Sequence, residues 1–153
     1  VILQSTQYTC GPCSIVNALE ALGQELTERA ASTLSSACPV NGTSKRQLAK
    51  ALRDLGWEVS RIQHPDDHYD EAWLSLVHHL SAGSPVVALV DRDEHWVAAI
   101  GVLGSGEHAR IQVADSALGE LVLSYSKDSW AKRWLGQRRR TRYYGLAVGY
   151  GLA

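Results

Sequence analysis

The spacing of apolar residues changes character near residue 85, and that change constrains the fold more than any other feature of the chain. Before it, apolar residues recur at helical intervals. From Gly11 to Leu22, Ile15, Val16, Leu19 and Leu22 fall at i, i+1, i+4 and i+7, which predicts a helix. Pro12 suits its first turn, where a missing N–H costs nothing, and Gly23 suits the position just beyond its end. A second helix is expected after Thr27. A third begins at Ser44, where Gln47 three residues on completes a capping box; it carries Leu48, Leu52 and Leu55 and stops at Gly56. A fourth is expected from about Tyr69 to Leu80, with Gly83 after it. Beyond residue 85 the pattern is that of short strands: Pro85–Asp91, His95–Leu103, a Gly-Ser-Gly-Glu turn, the alternating Arg110–Ala114, and Leu121–Tyr125. Ser126 is placed to cap a short helix over Lys127–Gly136, and Arg142–Tyr150 reads as a last strand. Helices first and an antiparallel sheet after them make an α+β fold.

A chain of 153 residues suits one domain, here 1–153, around one core. Five Trp and six Tyr must supply the large core side chains, because there is no Phe and no Met. Val at position 1 suggests a processed start. No apolar run approaches the roughly 20 residues that span a bilayer. A formal net charge of -1 gives no general attraction to nucleic acid, so neither a membrane span nor a nucleic-acid partner is expected. Three cysteines are too few and too odd in number for a disulfide framework or a four-thiolate zinc site. The compartment leans to the cytoplasm, with a secreted or delivered effector as the alternative.

Cys10-Gly11-Pro12-Cys13 admits three readings: a redox pair, half of a metal site, or one nucleophile beside a bystander. A thioredoxin-type motif needs a preceding strand within a βαβ unit, and only nine residues precede Cys10. A zinc site needs further ligands at second-site spacing, and only Cys38 remains among the thiols. As a nucleophile, Cys10 is well placed, since a thiol at a helix N-terminus is pushed toward the reactive thiolate. Cys13 then reads as a small buried helix residue. The thiol needs a base, and the base an orienting acceptor. Of six histidines, only His95 begins a strand, behind the acidic loop of Asp91, Asp93 and Glu94. With the turn centred on Ser105, His95 and Asp115 are equidistant from it, so an unbulged hairpin would face them across the ladder at about 5 Å. A single bulge would shift that pairing by one residue. Gln4, six residues before Cys10, could aim its amide at the same reacting carbonyl as the Cys10 N–H; Gln7 competes for that role.

Gln4…Cys10-Gly11-Pro12, His95-Trp96-Val97 and Asp115-Ser116-Ala117-Leu118-Gly119 together resemble the papain-like cysteine peptidases. They are most similar to the double-glycine leader peptidase domains of bacteriocin exporters and their freestanding relatives. Gly42-Thr43-Ser44, and Ser129-Trp130 with Arg133-Trp134, look similar too. The resemblance implies a helical first half packed on an antiparallel sheet with the active site between them. It implies Cys10 as nucleophile, His95 as base and acid, Asp115 as orienter and Gln4 as oxyanion donor, acting on a peptide or protein without metal or organic cofactor. It leaves acyl transfer, deamidation or plain peptide binding as alternatives, and with no exporter following, export-coupled cleavage is not expected. Two positions depart from the family pattern. Ser116 stands where Pro is usual, which predicts a looser turn, and Cys13 stands where a small residue is common. Two further features stay open at this level. Gln137–Arg142 reads as a solvated basic loop or a contact to an acidic partner, and Trp96 as a shield for the neighbouring ion pair or as core.

Overall fold

The computed structural model describes residues 1–64, 68–118, 122–136 and 142–149. Among the described residues, α-helices run over Cys10–Ala21 (α1), Glu28–Ser35 (α2), Lys45–Asp54 (α3), Tyr69–Ser81 (α4) and Lys127–Trp134 (α5). Strands among the described residues run over Glu58–Ile62 (β1), Val86–Val90 (β2), His95–Leu103 (β3), Arg110–Ala114 (β4), Leu123–Tyr125 (β5) and Gly145–Gly149 (β6). The helix starts follow local chemistry. Thr27 Oγ1 accepts from Ala30 N–H at 3.1 Å. Ser44 and Gln47 form the capping box, at 3.1 and 2.8 Å. Ser126 and Ser129 form another at the head of α5.

The sheet order is β1-β6-β2-β3-β4-β5, and every neighbouring pair is antiparallel. Strand β1 is absent from the sequence reading, which passed from α3 to α4. Only Ile62 of its five residues is buried, so it carries no apolar run; its place at the sheet edge comes from its ladder to β6.

The sheet lies between two helical layers. On one face Val87, Leu89, Trp96, Ala98 and Leu146 pack with α1 and α3. On the other Val86, Ala88, Val90, Val97, Ala99, Ile111 and Val113 pack with α4 and α5. Strand β2 is therefore buried along its whole length. The expected packing of helices on an antiparallel sheet holds, and α4 adds a detail: it crosses to the face opposite α1–α3. The aromatic residues carry the second layer. Tyr69, Tyr143, Trp134, Trp130 and Tyr125 form a continuous chain of rings, with successive centroids 5.2, 5.8, 5.8 and 5.5 Å apart. This chain fixes α5 against the sheet.

Candidate active site

Cys10 is the first residue of α1 and is almost buried. Thr9 precedes it without a side-chain cap, so the first-turn N–H groups keep their positive end toward the thiol. Gly11 lets this end of the helix press on the segment leading to α3. A Cβ there would sit 3.1 Å from Thr43 Cβ and 3.2 Å from Leu48 Cδ2. Trp96 ties the same segment to β3, since its Nε1–H donates to Thr43 O at 3.1 Å within the core. Trp96 is thus a core residue with a structural hydrogen bond.

His95 opens β3, and its Nε2 lies 2.7 Å from Asp115 Oδ1. The Cys10 side chain lies close enough to His95 to favour the charged form of its ring. With Nε2 on Asp115, Nδ1 is the nitrogen left for the thiol. The route by which His95 and Asp115 meet differs from the hairpin expected. The turn contains a 3-10 segment, Gly106–His108, and Leu103 pairs with Arg110, so its centre lies beyond Ser105. A bulge between Ala99 and Gly101 then shifts the register to Ala99–Val113 and Ala98–Ala114. Continued to the strand ends, this register sets Asp115 against Val97, diagonal to His95 and on the same face. Such diagonal neighbours lie roughly 7–8 Å apart, within reach of an imidazole.

Asp115 is 1% exposed and fully used. Oδ1 also accepts from Ala117 N–H at 3.0 Å, and Oδ2 accepts from Arg133 Nη1 at 3.0 Å. Burial pushes the carboxyl up, but the hydrogen bonds from His95 and Ala117 and the charges of His95 and Arg133 outweigh it, holding the group down at about 2. Burial likewise pulls His95 down, yet its bond to Asp115 and the nearby Cys10 side chain hold it up at about 9. The pair therefore rests as imidazolium and carboxylate at neutral pH.

Arg133 is the residue whose role the sequence reading missed. It grips Asp91 through Nε to Oδ1 at 2.9 Å and Nη2 to Oδ2 at 2.6 Å, while its carbonyl accepts from Asp91 N–H at 2.8 Å. Tyr125 supports it with its hydroxyl oxygen 3.0 Å from Nη1. One guanidinium thus holds both Asp115 and the start of the loop that leads into His95. In that loop Asp91, Arg92 and Asp93 take φ of +55°, +58° and +68°, a conformation that L-residues rarely adopt in succession. A sequence signal existed: Arg133 lies between the buried Trp130 and Trp134, three residues from the first, and so borders a core-facing stripe.

Gln4 lies beside the residue after Asp115. Its N–H donates to Ser116 O at 2.8 Å, its Oε1 accepts from Ser116 Oγ at 2.8 Å, and its Nε2 donates to Thr6 O at 2.8 Å. The 115–118 turn is not loosened by Ser116, because Leu118 N–H also closes on Asp115 O at 3.2 Å. Gln7 lines a depression of about 390 Å³ with Tyr8, Cys10, Asn41, Thr43 and Trp96. A second depression, about 570 Å³, runs along Leu3–Gln7 and Ser116–Leu118, and the two share Gln7. A larger cavity lined by Ile2, Val16 and Leu26 touches none of Cys10, His95 or Asp115.

Cys13 is fully buried, and burial, then the Glu28 carboxylate, push its thiol up to about 12. That suits a bystander and not the attacking half of a redox pair. Among the described residues no three His, Cys, Asp or Glu side chains converge where a metal ion could sit, and no helix is long and apolar enough to cross a membrane. Of the basic run expected at residues 137–142, positions 137–141 lie outside the described residues.

A family model described as Peptidase_C39 like family matches residues 1–141. No curated protein matches the chain. Among solved structures, the peptidase domain of Streptococcus ComA, a bifunctional ABC transporter involved in quorum sensing, is similar. Its TM-score is 0.67 at 15% identity, over 98% of this chain and 97% of that one. A double glycine motif protease from an AMS/PCAT transporter, solved with its leader peptide, gives 0.71 at 15% identity, over 99% and 91%. The Streptococcus mutans ComA peptidase domain gives 0.65 at 15% identity, over 97% and 98%. At that identity the likeness is one of fold.

Proposed function

The chain belongs to the Peptidase_C39-like family and is a cysteine peptidase, and from that premise we propose that Cys10, His95, Asp115 and Gln4 are its working residues. The observation that carries the reading is the 2.7 Å contact of His95 Nε2 with Asp115, which leaves the ring's other nitrogen available to Cys10. The thiolate of Cys10 attacks the scissile carbonyl, and a C–S bond forms as the carbonyl electrons move onto oxygen. The Cys10 N–H and the free N–H of the Gln4 amide hold that oxygen. His95 passes its proton to the leaving nitrogen as the C–N bond breaks. Neutral His95 then takes a proton from water, whose oxygen attacks the thioester and releases the carboxylate. Asp115 keeps the imidazole in the required orientation throughout.

The substrate is a peptide crossing the two depressions that meet at Gln7. One structural neighbour is a double glycine motif protease bound to a leader peptide, so peptides carrying an internal pair of glycines head the set to try. The test is digestion of a proteome-derived peptide library, read by mass spectrometry with wild type and Cys10→Ala in parallel. Product pairs whose masses sum to the parent plus one water, absent with Cys10→Ala, are expected. Equal cleavage by Cys10→Ala would overturn the nucleophile. Products carrying an added amine in place of water would make the enzyme a transferase.

A further inference from the structure

Resting on the reading of Gln4 as oxyanion donor, we propose that Ser116 is the positioning residue of the oxyanion site, fixing which way the Gln4 amide faces. An amide can turn over and exchange its oxygen for its nitrogen at little cost, and only one orientation offers donors to an oxyanion. Here the orientation is set from both ends. Thr6 O can only accept, so the Gln4 atom 2.8 Å from it is the NH₂ group. The other atom is therefore Oε1, and the group facing it at 2.8 Å must donate, which Ser116 Oγ does. Ser116 is 2% exposed, so no bulk water competes for this bond. Its carbonyl also accepts from Gln4 N–H, which ties main chain as well as side chain. Thr6 takes one amide hydrogen and Ser116 occupies the oxygen, so the second amide hydrogen remains for the reacting carbonyl.

The placement of Ser116 in the chain adds a consequence. It directly follows Asp115, whose Oδ1 also accepts from Ala117 N–H at 3.0 Å. One short turn thus sets the carboxylate that orients His95 and the hydroxyl that orients Gln4. The base and the oxyanion donor are kept in mutual register by adjacent residues, although Gln4 and Ser116 stand 112 positions apart.

The experiment uses acetyl-glycyl-glycinal, an aldehyde that adds the Cys10 thiol across its C=O. The C–S bond forms, the proton goes to oxygen, and that oxygen sits where the oxyanion would. Affinity is read as protection of Cys10 from iodoacetamide, which reacts at a CH₂ carbon and uses no oxyanion donor. Wild type, Ser116→Ala, Gln4→Ala and the double variant are compared. Gln4→Ala is expected to weaken aldehyde binding about tenfold and Ser116→Ala about fivefold, the size of one hydrogen bond. The double variant should lose no more than Gln4→Ala alone, since Ser116 then has no amide to hold. The alkylation rate of Cys10 against pH should be unchanged by Ser116→Ala. Independent losses that multiply would overturn the proposal, as would an altered alkylation profile, which would mean that Ser116 acts through Asp115 and His95. If Gln4→Ala binds the aldehyde as wild type does, or wild type binds none, the Gln4 reading itself falls and takes the proposal with it.

Discussion

His95 and Asp115 meet diagonally across the β3–β4 ladder, and the bulge between Ala99 and Gly101 is what places them on one face. The pairing on the turn side of the bulge joins Val102 to Ile111 and Gly101 to Gln112. Extended unbroken, it would set Asp115 opposite Ala98, and Ala98 faces the α1–α3 layer. One extra residue restores the parity. The switch is visible in the packing: Val97 and Ala99 face the α4–α5 layer, and after the bulge Val102 faces it. A bulge next to a reactive group, re-aiming a side chain, is a recurrent use of this irregularity.

The contact makes His95 sensitive to its partner. Asp115→Asn keeps the shape and removes the charge. His95 should then fall well below about 9, because the Asp115 charge no longer offsets burial and only the Cys10 side chain still favours the charged ring. Titration of the His95 ring by NMR would show this. A ring that still titrates near 9 in the variant would contradict the assignment of Asp115 as its holder. In the wild type, catalysis should fail as pH rises through about 9, where the proton for the leaving nitrogen is lost.

The same pair sets a stability window. His95 is raised above its ordinary 6.5, so its contribution is complete below that value and is lost as pH rises through about 9. Asp115 is depressed below its ordinary 3.8, so its contribution is complete above that value and is lost as pH falls through about 2. The two overlap fully between about pH 4 and pH 6.5. Urea unfolding of wild type and His95→Ala across pH should give the largest difference there. A difference that keeps growing above pH 7 has the wrong sign for this account.

Arg133 joins the Asp91 loop to Asp115, and Arg133→Gln should damage both. Asp115 is 1% exposed and would be left with a weaker counter-charge, at a cost of about 2–4 kcal/mol in unfolding free energy. Its carboxyl should move up, since the Arg133 charge is one of the forces holding it down. Turnover should drop more than KM rises, because the variant misplaces His95 itself and disturbs only the Asp93–Glu94 edge of one depression. A loss confined to KM would show that Arg133 serves the substrate and not the His95–Asp115 pair.

The two cysteines of the CGPC motif should separate cleanly. Cys13 is fully buried with its thiol pushed up to about 12, so iodoacetamide should label Cys10 and the partly exposed Cys38 long before it. Cys38 has its own reason to react: backbone N–H groups of Asn41 and Val40 lower its thiol. Cys13→Ala should cost about 1 kcal/mol and leave turnover within a factor of two. Loss of activity in that variant would bring back the redox reading.

What the sequence determined by itself was local. Helix starts at Ser44 and Ser126 follow from caps that bond within three residues, and β2 and β3 follow from apolar runs that only a covered sheet can bury. Cys10, His95 and Asp115 could be singled out as candidates because a helix start, a strand start and a strand end each leave a local signal, although the register that brings His95 to Asp115 is not the one their spacing suggests. Strand β1 left none, since its place depends on the edge of β6 and not on its own five side chains. Tertiary structure alone decided the rest. The bulge that aligns His95 with Asp115, the Arg133 grip on residues 18 and 42 positions away, and the Ser116 bond to Gln4 across 112 positions arise only when separate elements pack. Hydrogen-bond spacing along one element can be read from neighbours in the chain. Register between elements and the pairing of buried charges are set by which surfaces must exclude water together, and no short stretch of residues encodes that.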